Sequence, residues 1–254
     1  MGLQLALGSV RTVCCVEHEA AAIEILAEAM ETGCLDETPI WTSLQSFDGR
    51  PWRGVVDTLT AGYPCQPFSK AGRRRGRDDP RHHWPHVRRI IGEAEPGIVF
   101  LENVSDHLSL GFQEVVQALQ GMDYRIAAGL LTAAEIGSSQ GRERLFILAV
   151  ADADRPRLPD AQQRLLAGPS ETRLVQGPAT QQLCRPLFPP GPESPEWDRK
   201  EDDAFAPAQS RLRLLADGLA RDRAHWLRLL GNGVVPLQAA YAFMSLWSAL
   251  RHGR

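Results

Sequence analysis

The chain has 254 residues, of which 43% are hydrophobic, and a formal net charge of −3 at pH 7. This length suits one large α/β domain with a small appendage, and no apolar run is long enough to predict a membrane-spanning helix. The acidic balance excludes a global attraction to nucleic acid. The five irregularly spaced cysteines predict neither a disulfide framework nor a metal site. We therefore expect a cytoplasmic protein without a metal, with Cys14 and Cys15 in its core.

The first predicted elements are a helix, a strand and a second helix. Residues 2–7 have a helical pattern with no cap before them, and residues 12–17 form a continuous apolar strand that ends in Glu17. Ile23 to Met30 follow helical spacing, and Gly33 ends that helix. Nucleotide-binding α/β folds hold ribose hydroxyls with an acid at the end of their second strand, so Glu17 is a candidate ligand. Acids at strand ends are also common without such a role.

A single cysteine lies at the end of the next predicted strand. Residues 55–61 are typical of a buried parallel strand, and Pro64-Cys65-Gln66 follow shortly after it. Open α/β sheets place their chemistry at the carboxyl ends of their strands. Cys65 is therefore a candidate nucleophile, and the alternative is an unreactive buried cysteine.

The stretch after Cys65 is strongly basic despite the acidic chain. A local basic patch beside a catalytic loop can contact DNA phosphates, and the alternative is an ordinary solvated loop. The arginines in this stretch are Arg73, Arg74, Arg75, Arg77, Arg81, Arg88 and Arg89.

A second candidate acid follows a second buried strand. Residues 86–95 are predicted to be helical and to end at Pro96, and residues 97–101 form a buried strand that runs into Glu102-Asn103-Val104. Glu102 is thus also expected at the carboxyl end of a strand. Its alternative role is that of a partner for a helix N-terminus.

Two arginines precede the last predicted strand of the first half. After a helix at 112–119 and an edge strand from Tyr124, residues 140–144 lead into a strand at 145–150. Strand alternation puts Arg142 and Arg144 on one face, which suits a shared site and equally suits plain exposure.

The composition changes after residue 151. Residues 152–208 are rich in Pro, Gln, Arg and Asp, which predicts a small irregular domain or a partly disordered insert. Helical pattern then returns, and Gly231-Asn232-Gly233 precede a final helix at 235–250. We therefore expect three parts: a catalytic and cofactor domain at 1–151, the insert at 152–208, and C-terminal helices at 209–254 that return to the catalytic domain.

Four blocks in order resemble the C5-cytosine DNA methyltransferases. They are the Pro-Cys-Gln at 64–66, the Glu-Asn-Val at 102–104, the Gln-x-Arg-x-Arg at 140–144 and the Gly-Asn-Gly at 231–233. The chain looks closest to phage- and prophage-type members of restriction-modification systems, which share Phe68-Ser69 and the Asp-Asp-Pro-Arg at 78–81. The resemblance implies a Rossmann-like S-adenosylmethionine-dependent methyltransferase sheet, with a small irregular target-recognition insert at 152–208.

The resemblance also implies roles for the catalytic residues. Cys65 would add to C6 of a cytosine flipped out of the duplex, which makes C5 nucleophilic. Glu102 would stabilise the charge that develops toward ring N3, which requires a pKa raised by burial. Arg144 would hold the base O2 or the carboxyl, and Arg142 would steady the cysteine loop.

The implied partners are S-adenosylmethionine and double-stranded DNA. The resemblance predicts a monomer with a cognate restriction endonuclease, and neither a membrane nor a metal is expected. Five residues would bind the cofactor: Glu17, Ser43, Pro64, Gly231 and Asn232. A further set would contact DNA: Gln66, Ser69, Arg73, Arg74, Arg75, Arg81 and Gln140.

The chain departs from the family pattern at two places. Its start at Met1-Gly2 aligns with the helix that follows the family's first strand and glycine-rich loop, so we expect a sheet that lacks its first strand and a truncated N-terminus. Ser43 stands where the family usually has an Asp that holds the adenine amino group, and serine is the weaker acceptor.

Two other functions remain open at the level of sequence. The first is a catalytically impaired remnant that binds DNA through its arginine loop and does not bind cofactor. The second is a thiol hydrolase that uses His82, His83 or His86 as a base for Cys65. No orienting Asn or Asp pattern accompanies those histidines, and the second alternative leaves the Glu-Asn-Val block unexplained.

Overall fold

A computed structural model describes residues 1–63, 83–137, 141–151 and 234–252. Within these ranges the helices are α1 (Gly2–Leu7), α2 (Ala20–Glu31), α3 (Trp84–Ala94), α4 (Phe112–Gln120) and α5 (Pro236–His252). The strands are β1 (Cys15–Val16), β2 (Ile40–Trp41), β3 (Thr58–Gly62), β4 (Ile98–Val104), β5 (Tyr124–Thr132) and β6 (Glu143–Ala151).

The strands form two separate sheets. The larger has the order β3-β4-β6-β5, with β3 parallel to β4 and with β6 antiparallel to both of its neighbours. The smaller is a parallel pair of β1 and β2. Alternating helices and a mixed sheet agree with the predicted α/β class. Because β1 and β3 belong to different sheets, the described residues supply no strand that joins them. The predicted truncation of the N-terminus stays a prediction.

Strand β4 lies at the centre of two apolar layers. Successive side chains of a strand point to opposite faces of a sheet, so Val99 and Leu101 pack with residues of α3 and α4, whereas Ile98 and Phe100 pack with residues of α1 and α5. In the second layer the Phe100 ring meets Phe243 of α5 edge-on, with ring centroids 5.4 Å apart. Helix α5 therefore packs on the same face of the larger sheet as helix α1.

Two expectations about burial were wrong. Strand β3, which precedes Cys65 in the sequence, begins at Thr58 rather than at residue 55, and Val55 is 62% exposed. Its residues are half-buried or exposed because, among the described strands, β3 pairs with β4 alone and lies at the edge of the sheet. Cys14 and Cys15 are half-buried rather than in the core, since β1 belongs to the two-stranded sheet.

Two strands are longer than predicted. Strand β4 continues through Val104, and β6 begins at Glu143, because the two strands stay paired as far as Val104 and Arg144. Glu102 and Arg144 therefore lie within paired strands rather than in the loops beside them. Between α2 and β3, where the sequence analysis predicts no strand, the chain forms β2.

Several predicted site residues lie outside the described ranges, as does the insert at 152–208. They are Pro64, Cys65, Gln66, Ser69, Arg73, Arg74, Arg75, Arg81, Gln140, Gly231 and Asn232. Among the described residues, no helix is both long and apolar enough to cross a membrane.

Candidate active site at the ends of the central strands

An ion pair joins the two central strands of the larger sheet. The guanidinium Nε of Arg144 on β6 lies 3.0 Å from Oε1 of Glu102 on β4. Both side chains are largely buried, with 14% of the Glu102 side chain and 18% of the Arg144 side chain exposed. The strand register produces this contact, since Arg144 is paired with Val104, two residues beyond Glu102. The structure thus brings together two residues that the sequence placed far apart.

Burial dominates the electrostatics of this pair. Loss of solvent raises the pKa of Glu102 above its usual range, although Arg144 and Arg142 oppose that rise. Burial also lowers the pKa of Arg142, and the nearby positive charge of Arg144 lowers it further. A carboxyl with a raised pKa keeps its proton to a higher pH, so it can donate a hydrogen bond where an exposed carboxylate can only accept one.

Arg142 is held by its backbone at the start of β6. Its carbonyl oxygen accepts hydrogen bonds from the backbone N–H of Ala133 at 3.0 Å and from Nε2 of Gln238 at 3.0 Å. The same Nε2 of Gln238, a fully buried residue of α5, donates to the carbonyl of Leu131 at 2.7 Å. Arg142 and Arg144 are both half-buried while Glu143 is exposed, as strand alternation predicts.

Gly62 makes room for the Glu102 carboxyl. It is the last residue of β3 and is paired with Glu102 across the parallel ladder. A Cβ atom at this position would lie 3.2 Å from Oε2 of Glu102, which is closer than ordinary van der Waals contact. Any larger residue at position 62 would therefore displace the acid.

Asn103 ties the ends of β3 and β4 together. Its Nδ2 donates to the backbone carbonyl of Tyr63 at 3.1 Å, and its Oδ1 accepts from the N–H of Val104 at 2.9 Å. The sequence flagged the Glu-Asn-Val block as a whole but assigned no role to Asn103, Gly62 or Gln238. Asn103 and Gln238 stand out in the structure because they are polar and buried. Burial is visible only in the fold, so the sequence could not single them out.

Glu17 lies directly after β1, at the carboxyl end predicted for it. Its Oε1 accepts hydrogen bonds from the backbone N–H groups of His18 and Glu19, each at 2.8 Å. These bonds fix the orientation of the carboxylate. A carboxylate offers about four lone-pair sites on two oxygens, so acceptor capacity remains for a ligand.

Ser43 lies in a turn after β2, beside an exposed tryptophan. Its hydroxyl donates to Oε1 of Gln45 at 3.2 Å and accepts from the N–H of Ser46 at 3.3 Å. Trp41 is 49% exposed and meets Phe47 edge-on at 6.3 Å. The motif search missed Trp41, although an exposed large aromatic side chain is a recognisable binding feature.

Arg89 of α3 holds this turn in place. Its guanidinium donates to the carbonyls of Leu44 at 3.0 Å and Phe47 at 2.8 Å, and it forms an ion pair with Glu93 at 2.8 Å. In the sequence Arg89 belongs to the basic stretch after Cys65. Its contacts with Leu44 and Phe47 show that it supports the Ser43 turn.

The described candidates thus form two groups. Glu102, Arg142 and Arg144 interact electrostatically at the end of the larger sheet, and Glu17 and Ser43 follow the two strands of the smaller sheet. The rings of His18 and His83 lie 6.3 Å apart and bring the end of β1 near the start of α3. In the described ranges no group of three His, Cys, Asp or Glu residues is arranged to hold a metal ion.

The raised pKa of Glu102 predicts a pH-dependent stability. A carboxyl whose folded pKa exceeds its unfolded value stabilises the fold at low pH, and that contribution is lost as pH rises through the folded pKa. We expect the free energy of unfolding of the wild type, relative to Glu102→Gln, to fall as pH rises from about 4 toward neutrality. Urea denaturation of both proteins across this range measures the difference.

Glu143→Gln is the matched control for this experiment, because it removes an exposed carboxyl from the same strand as Arg144. A difference between wild type and Glu102→Gln that stays constant or grows with pH would contradict the raised pKa.

Comparison with known proteins identifies the family of this chain. The C-5 cytosine-specific DNA methylase family matches residues 1–180. The type II methyltransferase M.NgoMIV of Neisseria gonorrhoeae is 35% identical over 138 residues, which are 51% of this chain and 44% of that protein. The type II methyltransferase M.AluI of Cellulosimicrobium cellulans is 30% identical over 171 residues, 61% of this chain and 33% of that protein.

A solved structure shows the same fold. The methyltransferase EhMeth of Entamoeba histolytica superposes with a TM-score of 0.50 at 21% identity, over 62% of this chain and 52% of that one. The chain spans less than half the length of the two curated relatives it matches. Since the family match covers well over half of its residues, the chain belongs to the C-5 cytosine-specific DNA methylase family.

Proposed function

We propose that this chain is a DNA (cytosine-5-)-methyltransferase that acts through a covalent Cys65 adduct. The observation that carries the proposal is the buried Glu102–Arg144 pair beside the end of β3. Cys65 follows Gly62 by three residues, and Gly62 is paired with Glu102. This short spacing along the chain supports a nucleophile close to the acid, as a reaction on one base requires.

The chemistry assigns a distinct task to each group. The Cys65 thiolate forms a bond to C6 of a flipped cytosine, and the C5=C6 electron pair moves to C5. Glu102 with a raised pKa donates a hydrogen bond to ring N3, where negative charge develops. Arg144 holds the carboxyl in place. C5 takes the methyl group of S-adenosylmethionine, whose S–CH3 bond breaks and which leaves as S-adenosylhomocysteine. C5 then gives its proton to water, the C5=C6 bond re-forms, and the bond between sulfur and C6 breaks to release the Cys65 thiolate.

The second group of residues fits the adenosyl part of S-adenosylmethionine, the methyl donor that we propose. Glu17 offers an oriented carboxylate for ribose hydroxyls. Trp41 offers an exposed ring face for a planar base, and Ser43 offers a hydroxyl beside it. We propose that Pro64, Gly231 and Asn232 complete this site.

We further propose a setting for the reaction. The protein acts as a cytoplasmic monomer on double-stranded DNA, with a cognate restriction endonuclease. The proposed restriction endonuclease is supported by two relatives that are both called type II methyltransferases. Ser69 and the arginines of the stretch after Cys65 contact DNA phosphates; the arginines are Arg73, Arg74, Arg75 and Arg81. Gln66 and Gln140 also contact the DNA that carries the flipped base.

Covalent trapping tests the nucleophile. Fluorine at C5 cannot leave as a proton does, so a duplex with 5-fluorocytosine arrests the reaction at the adduct. We expect the wild type, given S-adenosylmethionine and a pool of random-sequence duplexes with 5-fluorocytosine, to form a denaturant-resistant complex on a gel. Cys65→Ser should form none, because an alcohol is far less ionised than a thiol. Cys34→Ser, which changes an exposed cysteine, should behave as the wild type, and trapping by Cys65→Ser would sink the proposal.

A substitution at Gly62 tests whether adduct formation depends on the position of the Glu102 carboxyl. We expect Gly62→Ala to slow adduct formation about tenfold or more, because the new methyl group shifts the Glu102 carboxyl by a few tenths of an ångström. Gly92→Ala in α3 is the matched control, since a Cβ there has no neighbour within 4 Å. That control should gain about 0.5–1 kcal/mol of stability with no change in rate. Equal rates for Gly62→Ala and the wild type would contradict the proposal that adduct formation depends on the position of the Glu102 carboxyl beside Gly62.

A DNA-binding remnant without catalysis is the second candidate. It is favoured by the separation of β1 from β3. Glu17, the candidate cofactor ligand, follows β1 in one sheet, whereas the chain toward Cys65 leaves β3 in the other. Calorimetry with S-adenosylmethionine distinguishes the two candidates. Micromolar binding that is weakened by Glu17→Gln is expected for the methyltransferase. Absence of binding, together with DNA affinity that falls steeply with salt, would establish the remnant.

A further inference from the structure

A buried polar pair joins the residue after β3 to the turn after β4. The hydroxyl of Tyr63 and Nε2 of His107 share a hydrogen bond of 3.0 Å, and the two rings meet edge-on at 5.7 Å. Tyr63 directly follows β3 and is 7% exposed, and His107 lies in the 3₁₀ turn after β4 and is 3% exposed. Burying polar groups costs free energy unless they are paired, and two apolar rings would fill such a space without that cost. A polar pair, however, fixes the relative position of its two partners.

Tyr63 is held on three sides. Its backbone carbonyl accepts from Asn103 of β4 at 3.1 Å, and its ring packs against Trp84 of α3 at 5.7 Å. Its hydroxyl adds the contact with His107. The residue that follows β3 is therefore fixed by its main chain, by its ring and by its hydroxyl, through the ends of three different elements.

This position is adjacent to both candidate catalytic groups. Cys65 is two residues beyond Tyr63, and two residues of chain span about 7 Å at most. Glu102 directly precedes Asn103, whose amide holds the Tyr63 carbonyl. The chain that leads to Cys65 therefore starts from a residue that is fixed beside Glu102.

We propose that Tyr63 and His107 are positioning residues for methyl transfer, and that their hydrogen bond sets the placement of Cys65 relative to Glu102. The proposal rests on the proposed function and adds to it two residues outside the reacting groups. It requires that loss of the Tyr63 hydroxyl slow bond formation to C6 by more than the accompanying loss of stability explains.

Tyr124 provides a matched control within the same hydrophobic cluster. It is 4% exposed, and its hydroxyl donates to the carbonyl of Pro96 at 2.7 Å. Pro96 precedes β4, so this hydrogen bond lies at the opposite end of the strand from Glu102. Tyr124→Phe thus removes a buried tyrosine hydroxyl with a comparable structural role, far from the candidate site.

The experiment measures adduct formation under single-turnover conditions. The wild type, Tyr63→Phe and Tyr124→Phe are mixed with saturating S-adenosylmethionine and the 5-fluorocytosine duplex pool, and their melting temperatures are measured in parallel. We expect both variants to melt lower by similar amounts. Only Tyr63→Phe should form the adduct more slowly, by about tenfold or more, with an unchanged affinity for S-adenosylmethionine.

Substitutions of His107 provide a second, independent measurement. His107→Gln can still hydrogen-bond the Tyr63 hydroxyl and should keep most of the rate, whereas His107→Leu should lose as much as Tyr63→Phe. The Tyr63→Phe/His107→Leu double variant should be no slower than either single variant, because the two residues contribute one shared hydrogen bond.

The possible failures are distinguishable. If the wild type forms adduct and Tyr63→Phe forms it at the same rate, or if Tyr124→Phe is slowed equally, the pair is only structural and the inference is overturned. If the wild type and Tyr124→Phe form no adduct, the proposed function itself is overturned and the inference with it.

Discussion

The candidate site depends on the pairing of β4 along both of its edges. One edge is parallel to β3 and the other is antiparallel to β6. The first pairing sets Gly62 beside Glu102, and the second brings Arg144 within 3.0 Å of the same carboxyl. A slip of one residue in either register would turn the paired side chain to the opposite face of the sheet. The acid, its arginine and the chain that leads to Cys65 are therefore placed together by backbone hydrogen bonds.

Burial is the second constraint, and it acts against the ion pair. A carboxylate and a guanidinium removed from water lose solvation that their attraction only partly restores. At Glu102 burial outweighs both arginines, so its pKa rises. An exposed pair with the same geometry would lack this rise, and its carboxyl would lose its proton at a lower pH. The low exposure of the site thus favours the chemistry proposed for it.

Much of this arrangement could be predicted from the sequence, and the reasons for the rest are physical. Motif spacing identified Glu102, Arg142 and Arg144 because parallel and antiparallel strands bring distant strand ends together. It could not identify Gly62, whose importance is a distance of 3.2 Å to another side chain. It missed His107 for a similar reason, because a lone histidine in a turn has no recognisable spacing and gains meaning only from its bond to Tyr63.

Position in the sequence does not show what surrounds a residue in the fold, and two interpretations differ from the structure for this reason. An apolar run predicted a fully buried β3, yet burial depends on what lies on each side of a strand, and β3 has one neighbour among the strands that the structure describes. Arg89 was grouped with the basic loop by its position in the chain. Its guanidinium instead binds two carbonyls of the Ser43 turn, a role that composition cannot distinguish from exposure to phosphate.

The amide group of Gln238 links the last helix to the arginines of the candidate site. Its single nitrogen bridges the carbonyls of Leu131 and Arg142, so α5 is tied directly to the segment that carries the two arginines. Residues 152–233 lie between these parts in sequence, and no described contact that fixes the arginines depends on them. A substitution at Gln238 would therefore act on the segment that carries the arginines, although Gln238 lies 96 residues from Arg142 in sequence.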